Sequence, residues 1–465
     1  MQLSKYNKIA FFLIIALLSI FWSSPIKAQG PNQDEKIFLY SKPAVVRLGM
    51  FFTGNVTFPS IELVQQEDGK LGVQWVGGTT SVGMETGFSC SGFIINPSGY
   101  ILTNAHCADT SSDNISSLVW DQFSYELYDN LQSNLPPQAV PSDQIAIADL
   151  HKQILNFIVD YGEIKNLTWW FSVFDPNRSE GSVQDFISKG FQPEIKKMGQ
   201  PYPQPGKDIA IIKIDKENAP IVKLGDSNDT KTGGRIFVMG FPATADLNES
   251  GYIEPSFTSG IVSAIKKSSQ GDYNVIQIDA AIAGGNSGGP VFNEKGEVIG
   301  IATFGSSETQ GYNWILPINL AKDFLNELNV ATNTNNITNQ HYQLGIDYFL
   351  DKKYSKAKEE FQKVQALYPA QTVAQLINKS DVAIIKGEET KEESQKNTKN
   401  YLLNIMDFFK NHLWIVILIT IILLIIIVII ILFIKRKKKS FPSASVNQIS
   451  NPNNIDNETK HQPPS

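Results

Sequence analysis

Ser287 stands in the stretch Asp279-Ala-Ala-Ile-Ala-Gly-Gly-Asn-Ser-Gly-Gly-Pro290. A hydroxyl that attacks a carbonyl must sit on a tight, exposed turn whose backbone N–H groups face the oxyanion as it forms. Glycines on both sides of Ser287 allow that turn and the close approach of a substrate. The N–H groups of Gly285 and Ser287 are the donors such a turn offers. A bare Gly-Asn-Ser-Gly reads as a generic loop. The longer string, running into a strand-like Val291-Phe292, is far rarer and favours a nucleophile.

A nucleophilic serine needs a base, and the chain has five histidines. Two of them, His106 and His151, lie within the region where a partner for Ser287 is sought. His151 falls in an amphipathic helical pattern and reads as a surface or boundary residue. His106 ends the apolar run Tyr100-Ile-Leu-Thr-Asn-Ala-His and is the candidate base. A carboxylate must then fix the imidazole tautomer and stabilise the imidazolium. Asp208 opens the β-branched run Ile209-Ala-Ile-Ile-Lys-Ile214, which would hold it at a buried strand end. Taken alone, a surface-turn aspartate is the plainer reading.

Together these residues resemble the trypsin-like serine proteases, and within them the HtrA/Deg branch. The likeness runs from about Lys42 to Ala321. It includes Pro43-Ala-Val-Val-Arg-Leu48, Gly92-Phe-Ile-Ile-Asn-Pro-Ser-Gly-Tyr-Ile-Leu-Thr-Asn-Ala-His106, Val238-Met-Gly-Phe-Pro242 and Ser259-Gly-Ile-Val-Ser-Ala264. Val298-Ile-Gly-Ile-Ala-Thr-Phe-Gly305 and Asn313-Trp-Ile-Leu-Pro-Ile318 complete it. The order His, Asp, Ser is that of the chymotrypsin-like architecture. The resemblance implies a mainly β fold of two chymotrypsin-like six-stranded β-barrels. His106 and Asp208 would come from the first barrel and Ser287 from the second.

The same resemblance places a substrate pocket with its floor near Ala281 and Ile282 and its wall at Thr303, Phe304 and Gly305. With no charge there, small or medium apolar residues are expected before the cut bond. Asn286 is neutral, so the ion pair that activates digestive relatives after zymogen cleavage is not expected. Cys90 and Cys107 are the only cysteines. An even count in an exported chain favours a disulfide, and the segment between them reads as a hairpin that would bring its ends together. Digestive relatives bridge cysteines in matching places, whereas HtrA-type members generally lack the pair; buried thiols are the alternative. Two departures stand out. Nothing resembles the PDZ domain that usually follows the protease, and Ala283-Gly284 occupies the place where the branch usually has Asn-Pro.

The remaining organisation follows from composition along the 465 residues. Lys5 and Lys8 precede an apolar run, and Ala28 offers a cleavage point, so residues 1–28 read as a signal peptide, with an uncleaved anchor as the alternative. The protease domain is expected over 36–328. An insertion at about 108–200, with helices over 116–131 and 142–161, is expected beside the cleft. Trp169-Trp-Phe-Ser-Val-Phe174 reads as core strand rather than binding wall. After a polar linker at 331–338, residues 339–386 match the spacing of one tetratricopeptide repeat through Leu344, Gly345, Tyr348, Ala357, Phe361 and Pro369. The functional reading there is a groove for a protein partner's peptide. A helical spacer is favoured, because no second repeat is evident.

Residues 387–412 form a charged stalk, and 413–434 give 22 residues without a charge. As a helix these span about 33 Å, which matches a bilayer core. Lys435-Arg-Lys-Lys-Lys439 follows and sets the C-terminal end on the cytoplasmic side, with a disordered tail over 435–465. The net charge of −6 and the lack of a basic, aromatic-interleaved patch give no nucleic-acid signal. No cofactor and no metal are called for. The expectation is a membrane-anchored serine endopeptidase, protease domain outward, cleaving misfolded or exported polypeptides. A catalytically idle scaffold that keeps the barrels is the alternative.

Overall fold

The computed structural model describes residues 33–136, 140–174, 190–242, 254–305, 312–390, 421–430 and 432, with only the backbone of Phe304 and Gly305. The chain divides into two units, Met1–Thr390 and Lys391–Ser465.

Within the first unit, thirteen strand segments are described, and two sheets take them up. β1 (Val45–Gln65), β2 (Leu71–Asn96), β3 (Tyr100–Thr103), β4 (Glu163–Phe174), β5 (Glu194–Met198) and β6 (Ala210–Lys213) form the first, in the order β4-β1-β2-β3-β6-β5. β7 (Lys223–Leu224), β8 (Arg235–Gly240), β9 (Ser256–Lys267), β10 (Asn274–Ile278), β11 (Pro290–Asn293), β12 (Glu297–Gly305) and β13 (Asn313–Pro317) form the second. There β11-β8-β9-β10-β13-β12 closes on itself through the β11–β12 pairing, and β7 joins β12 in parallel. Closure removes the strand edges and encloses a core of Ile236, Val238, Val262, Ile276, Ile278 and Val291, all nearly inaccessible. The two barrel-like sheets expected from the sequence are thus present, each accompanied by helices.

β1 and β2 run for 21 and 26 residues, several times the usual strand length. They pair as one hairpin from Val45↔Phe93 to Gln65↔Leu71, with a single register shift between Pro59 and Ile61. Helices α2 (Ser112–Gln132) and α3 (Gln144–Tyr161) pack on each other and on this hairpin, taking α1 as Gln33–Ser41. Ser111 caps α2 and Asp143 caps α3, each accepting backbone N–H bonds in the first turn. Ile115, Val119, Phe123 and Leu127 of α2 recur every four residues on its buried face, as do Leu150, Ile154 and Ile158 of α3. The Phe123 ring meets Phe58 of the hairpin edge-on at 5.6 Å. Of the aromatic run in β4, Trp169 and Trp170 are 41% and 38% exposed, whereas Phe171, Val173 and Phe174 are buried. Core is therefore the right reading only for its second half.

α4 (Asn319–Glu327) leads to α5 (Ile337–Leu350), α6 (Tyr354–Leu367) and α7 (Gln371–Ile385), which pack in sequence. Gly345 of α5 lies where a Cβ would come within 2.6 Å of the Phe361 ring, so its lack of a side chain sets the helix spacing. The stretch read as a polar linker, together with Asn339 just beyond it, is a row of amide clamps. The Asn336 amide donates to Ala219 O, and the Asn333 and Asn339 amides each exchange two bonds with the backbone of Leu224 and Ile221. Lys36 and Tyr40 of α1 both donate to Asp347 of α5. These bonds dock the helices on the rest of the first unit.

In the second unit, residues 421–430 and 432 are helical, with exposed apolar side chains. Among the described residues no helix is long and apolar enough to cross a membrane. The rest of 413–434, the signal segment, most of the stalk and the tail lie outside the described residues.

Phe361 is fully buried against the rings of Tyr342 and Phe349. Phe361→Ala is expected to destabilise α5 to α7 by about 3–5 kcal/mol. Hydrogen exchange should then speed over 337–385 and stay slow in β11 and β12; unchanged protection over 337–385 would refute the packing described.

Candidate active site

The antiparallel pairing of β3 with β6 sets Thr103 opposite Ala210. The residues just after β3 and just before β6 therefore meet at one end of the sheet, and these are His106 and Asp208. Asp208 is buried at 5% exposure. Its Oδ2 lies 2.7 Å from His106 Nδ1, and its Oδ1 accepts the backbone N–H of His106 at 2.9 Å. Thr303 Oγ1, arriving from β12, donates to the same Oδ2 at 3.2 Å. The Asn104 amide holds the Asp208 carbonyl at 2.8 Å.

Burial pushes the Asp208 carboxyl up, but the hydrogen bond and charge of His106 and the N–H groups of His106 and Tyr202 outweigh it, and its pKa is lowered. An ionised carboxylate can only accept, so the imidazole proton sits on Nδ1 and leaves the Nε2 lone pair bare. With the folded pKa below the unfolded one, this pair's stabilisation is complete above the ordinary carboxylate range. It is lost as pH falls through the lowered folded value.

Ser287 sits on the turn before β11. Its carbonyl accepts from the Ser91 N–H of β2 at 2.7 Å, which ties the turn to the first sheet. The preceding residues close a β-turn in which Asn286 N–H donates to Ala283 O at 3.0 Å. Gly285, third in that turn, has φ +101°, the left-handed value that a type II turn demands there. Gly288 has φ +84°, and a Cβ there would fall within 2.2 Å of both Ser91 O and Thr103 Oγ1. No acceptor among the described residues takes the N–H of Gly285 or of Ser287, so both are available to an oxyanion. The Ser287 hydroxyl donates to Thr303 O at 2.7 Å. No hydrogen bond joins it to His106 among the described residues, and attack requires its rotation toward Nε2; such contacts often tighten only with substrate bound.

Cys90 and Cys107 are bridged, with Cα atoms 5.9 Å apart, within the range a disulfide accommodates. The bridge joins β2 to the residue after His106, and Cys107 Sγ lies 3.7 Å from Ser287 O. Both sulfurs lie near the His106 ring, yet bonded to each other they offer no thiolate to an ion.

The pocket residues are placed unevenly. Ala281 O accepts from Thr258 Oγ1, and Ile282 packs against the core of the second barrel. Thr303 is not simply pocket wall: it is buried, its hydroxyl serves Asp208 and its carbonyl holds Ser287. Phe304 and Gly305 continue β12 opposite Trp314 and Asn313, and only their backbone is described. His151 lies between the rings of Tyr125 and Tyr128 at 4.2 and 4.3 Å, far along the chain from this cluster's strands. Sequence reasoning missed the polar duties of Thr303 and Asn104, since neither type nor spacing announces a bond to a residue about a hundred positions away.

Residues 69–131 match the family model described as Trypsin, and residues 171–301 match the Trypsin-like peptidase domain. His106 falls in the first match; Asp208 and Ser287 fall in the second. A probable periplasmic serine endoprotease, DegP-like, of Halomonas elongata is 41% identical over 126 residues, 26% of this chain and 25% of that protein. A protein of the same description in Pseudomonas putida is 42% identical over 129 residues, 27% of this chain and 25% of its own. A putative serine protease HhoB of Synechocystis sp. is 38% identical over 127 residues, 26% of this chain and 29% of that protein. The chain spans about a quarter of the length of these relatives. A solved structure titled HtrA-type protease AlgW with decapeptide overlaps 63% of this chain and 67% of that one, at TM-score 0.36 and 22% identity.

Two outcomes are expected. Gly284 has open space where a Cβ would stand, and the second position of a type II turn suits proline. Gly284→Pro should therefore raise stability by about 0.4–1 kcal/mol in denaturant unfolding; destabilisation would mean the turn is not of this type. Replacing both cysteines by serine opens a loop of sequence separation 17 and should cost about 3 kcal/mol. An unchanged midpoint, or full alkylation of both thiols in native protein, would show that the bridge does not form.

Proposed function

We propose that this chain is a serine endopeptidase of the HtrA/Deg type. Ser287 is the nucleophile, His106 the general base and Asp208 the carboxylate that orients and stabilises the imidazolium. The observation that carries this reading is the 2.7 Å contact between His106 Nδ1 and the buried Asp208 Oδ2, with Ser287 on the adjoining turn. With Nδ1 protonated, Nε2 takes the Ser287 proton as Oγ attacks the substrate carbonyl. The N–H groups of Gly285 and Ser287 receive the oxyanion, and His106 then protonates the leaving amine. Water deacylates the enzyme by the reverse sequence.

The substrate is polypeptide. The pocket assigned to Ala281, Ile282, Thr303, Phe304 and Gly305 carries no charge, which supports small or medium apolar residues before the cut bond. The apolar stretch 413–434 with its basic flank supports a single-span anchor, and residues 1–28 support export, so the protease faces the extracytoplasmic side. The DegP-like relatives are described as periplasmic, in keeping with that placement. The role is quality control or processing of exported proteins, with residues 339–386 as a tetratricopeptide-like region that takes a protein partner or sets spacing. One observation favours a second reading, an idle scaffold: the Ser287 hydroxyl is turned to Thr303 O rather than to His106.

Labelling of the full-length chain with an organophosphonate serine probe separates the two. Labelling and peptide hydrolysis are expected, both abolished in Ser287→Ala and His106→Ala, while Asp208→Asn should lose on the order of 10⁴ in turnover. A wild-type chain that neither labels nor cleaves would favour the scaffold. Undiminished turnover in Asp208→Asn would mean that another group orients His106.

A further inference from the structure

We propose that Ser91 is a positioning residue for the oxyanion-binding turn, an inference that rests on the endopeptidase reading. Ser91 lies in β2 and is wholly inaccessible to solvent. Its hydroxyl donates to Gly285 O at 2.8 Å and accepts the Phe241 N–H at 2.9 Å. A serine hydroxyl has one proton. With Phe241 N–H occupying a lone pair, that proton is directed at the Gly285 carbonyl and nowhere else.

The backbone of Ser91 engages the same region. Its N–H donates to Ser287 O at 2.7 Å, and its own carbonyl accepts from Thr103 Oγ1 at 2.8 Å. One residue therefore grips the carbonyls of both Gly285 and Ser287, the two residues whose N–H groups would bind the oxyanion. The peptide after Gly285 is fixed at both ends, its oxygen by Ser91 Oγ and its N–H by Ala283 O.

This grip matters because the turn is otherwise loosely determined. Gly284 and Gly285 are adjacent glycines, and Gly284 has open space around it. A Gly-Gly pair has many backbone conformations of similar energy. Rotation about Gly285 would swing its N–H away from a forming oxyanion. Ser91 Oγ supplies from the first sheet the restraint that neither glycine supplies. It touches no reacting atom; it acts through the turn.

The test compares wild type with Ser91→Ala in the full-length chain, counting active sites by the end point of phosphonate labelling. Per labelled site, kcat should fall about 10- to 100-fold, less than loss of an oxyanion donor outright, with KM within about twofold. Affinity for a peptide boronate, which forms a tetrahedral adduct, should fall by a similar factor. A merely structural role would lower the number of labelled sites and leave kcat per site unchanged. Ser91→Gly removes the same hydroxyl at a different backbone cost and should show the same factor per site. If both variants match wild type per labelled site, the positioning role is wrong and the endopeptidase reading stands. If wild type itself neither labels nor hydrolyses, that reading fails and this one with it.

Discussion

The contact between His106 and the buried carboxylate of Asp208 is the interaction on which the rest of the site depends. A carboxylate at 5% exposure is tolerable only if its charge is met by donors, because burial otherwise favours the neutral acid. Here those donors come from three places: the ring and backbone of His106 after β3, the backbone of Tyr202 before β6, and Thr303 on β12. The first two belong to one sheet and the third to the other. Asp208 thus links the two sheets, and the bonds that keep it ionised also fix the tautomer of His106.

A second link runs from β2 to the turn around Ser287. Ser91 reaches across with its N–H and its hydroxyl, and Cys90 beside it is bridged to Cys107 beside His106. His106 and Ser287 are therefore carried on backbone segments cross-braced to each other rather than on independent loops. Groups that must meet within a few tenths of an ångström are held better by such a frame than by either element alone. The Ser287 hydroxyl, bonded to Thr303 O rather than to His106, would have to rotate for the two side chains to meet.

Much of the candidate site was legible in the sequence because its residues carry local marks. Ser287 is announced by its glycines, His106 by the strand it ends, and Asp208 by the β-branched run it opens. The insertion helices were legible too, since their apolar residues recur every four positions. The length of the β1–β2 hairpin was not. Gly54, Pro59, Gly77, Gly78 and Gly83 interrupt the alternation of apolar residues there, and only the pairing of β1 with β2 and β4 shows the strands to be continuous. The asparagines at 333 and 336 read as linker because composition cannot say whether an amide bonds to water or to a distant backbone. The polar bonds of Thr303 and Ser91 were invisible for the same reason. Their roles are set by partners brought near only by folding.

The buried carboxylate dictates which tautomer the neutral His106 ring adopts. Nitrogen-15 NMR of the imidazole in the full-length chain reads it directly. In the neutral ring the proton is expected on Nδ1, with a far-downfield proton resonance from its bond to Asp208, and Nε2 is expected bare. A proton found on Nε2, with Nδ1 bare, would contradict this assignment.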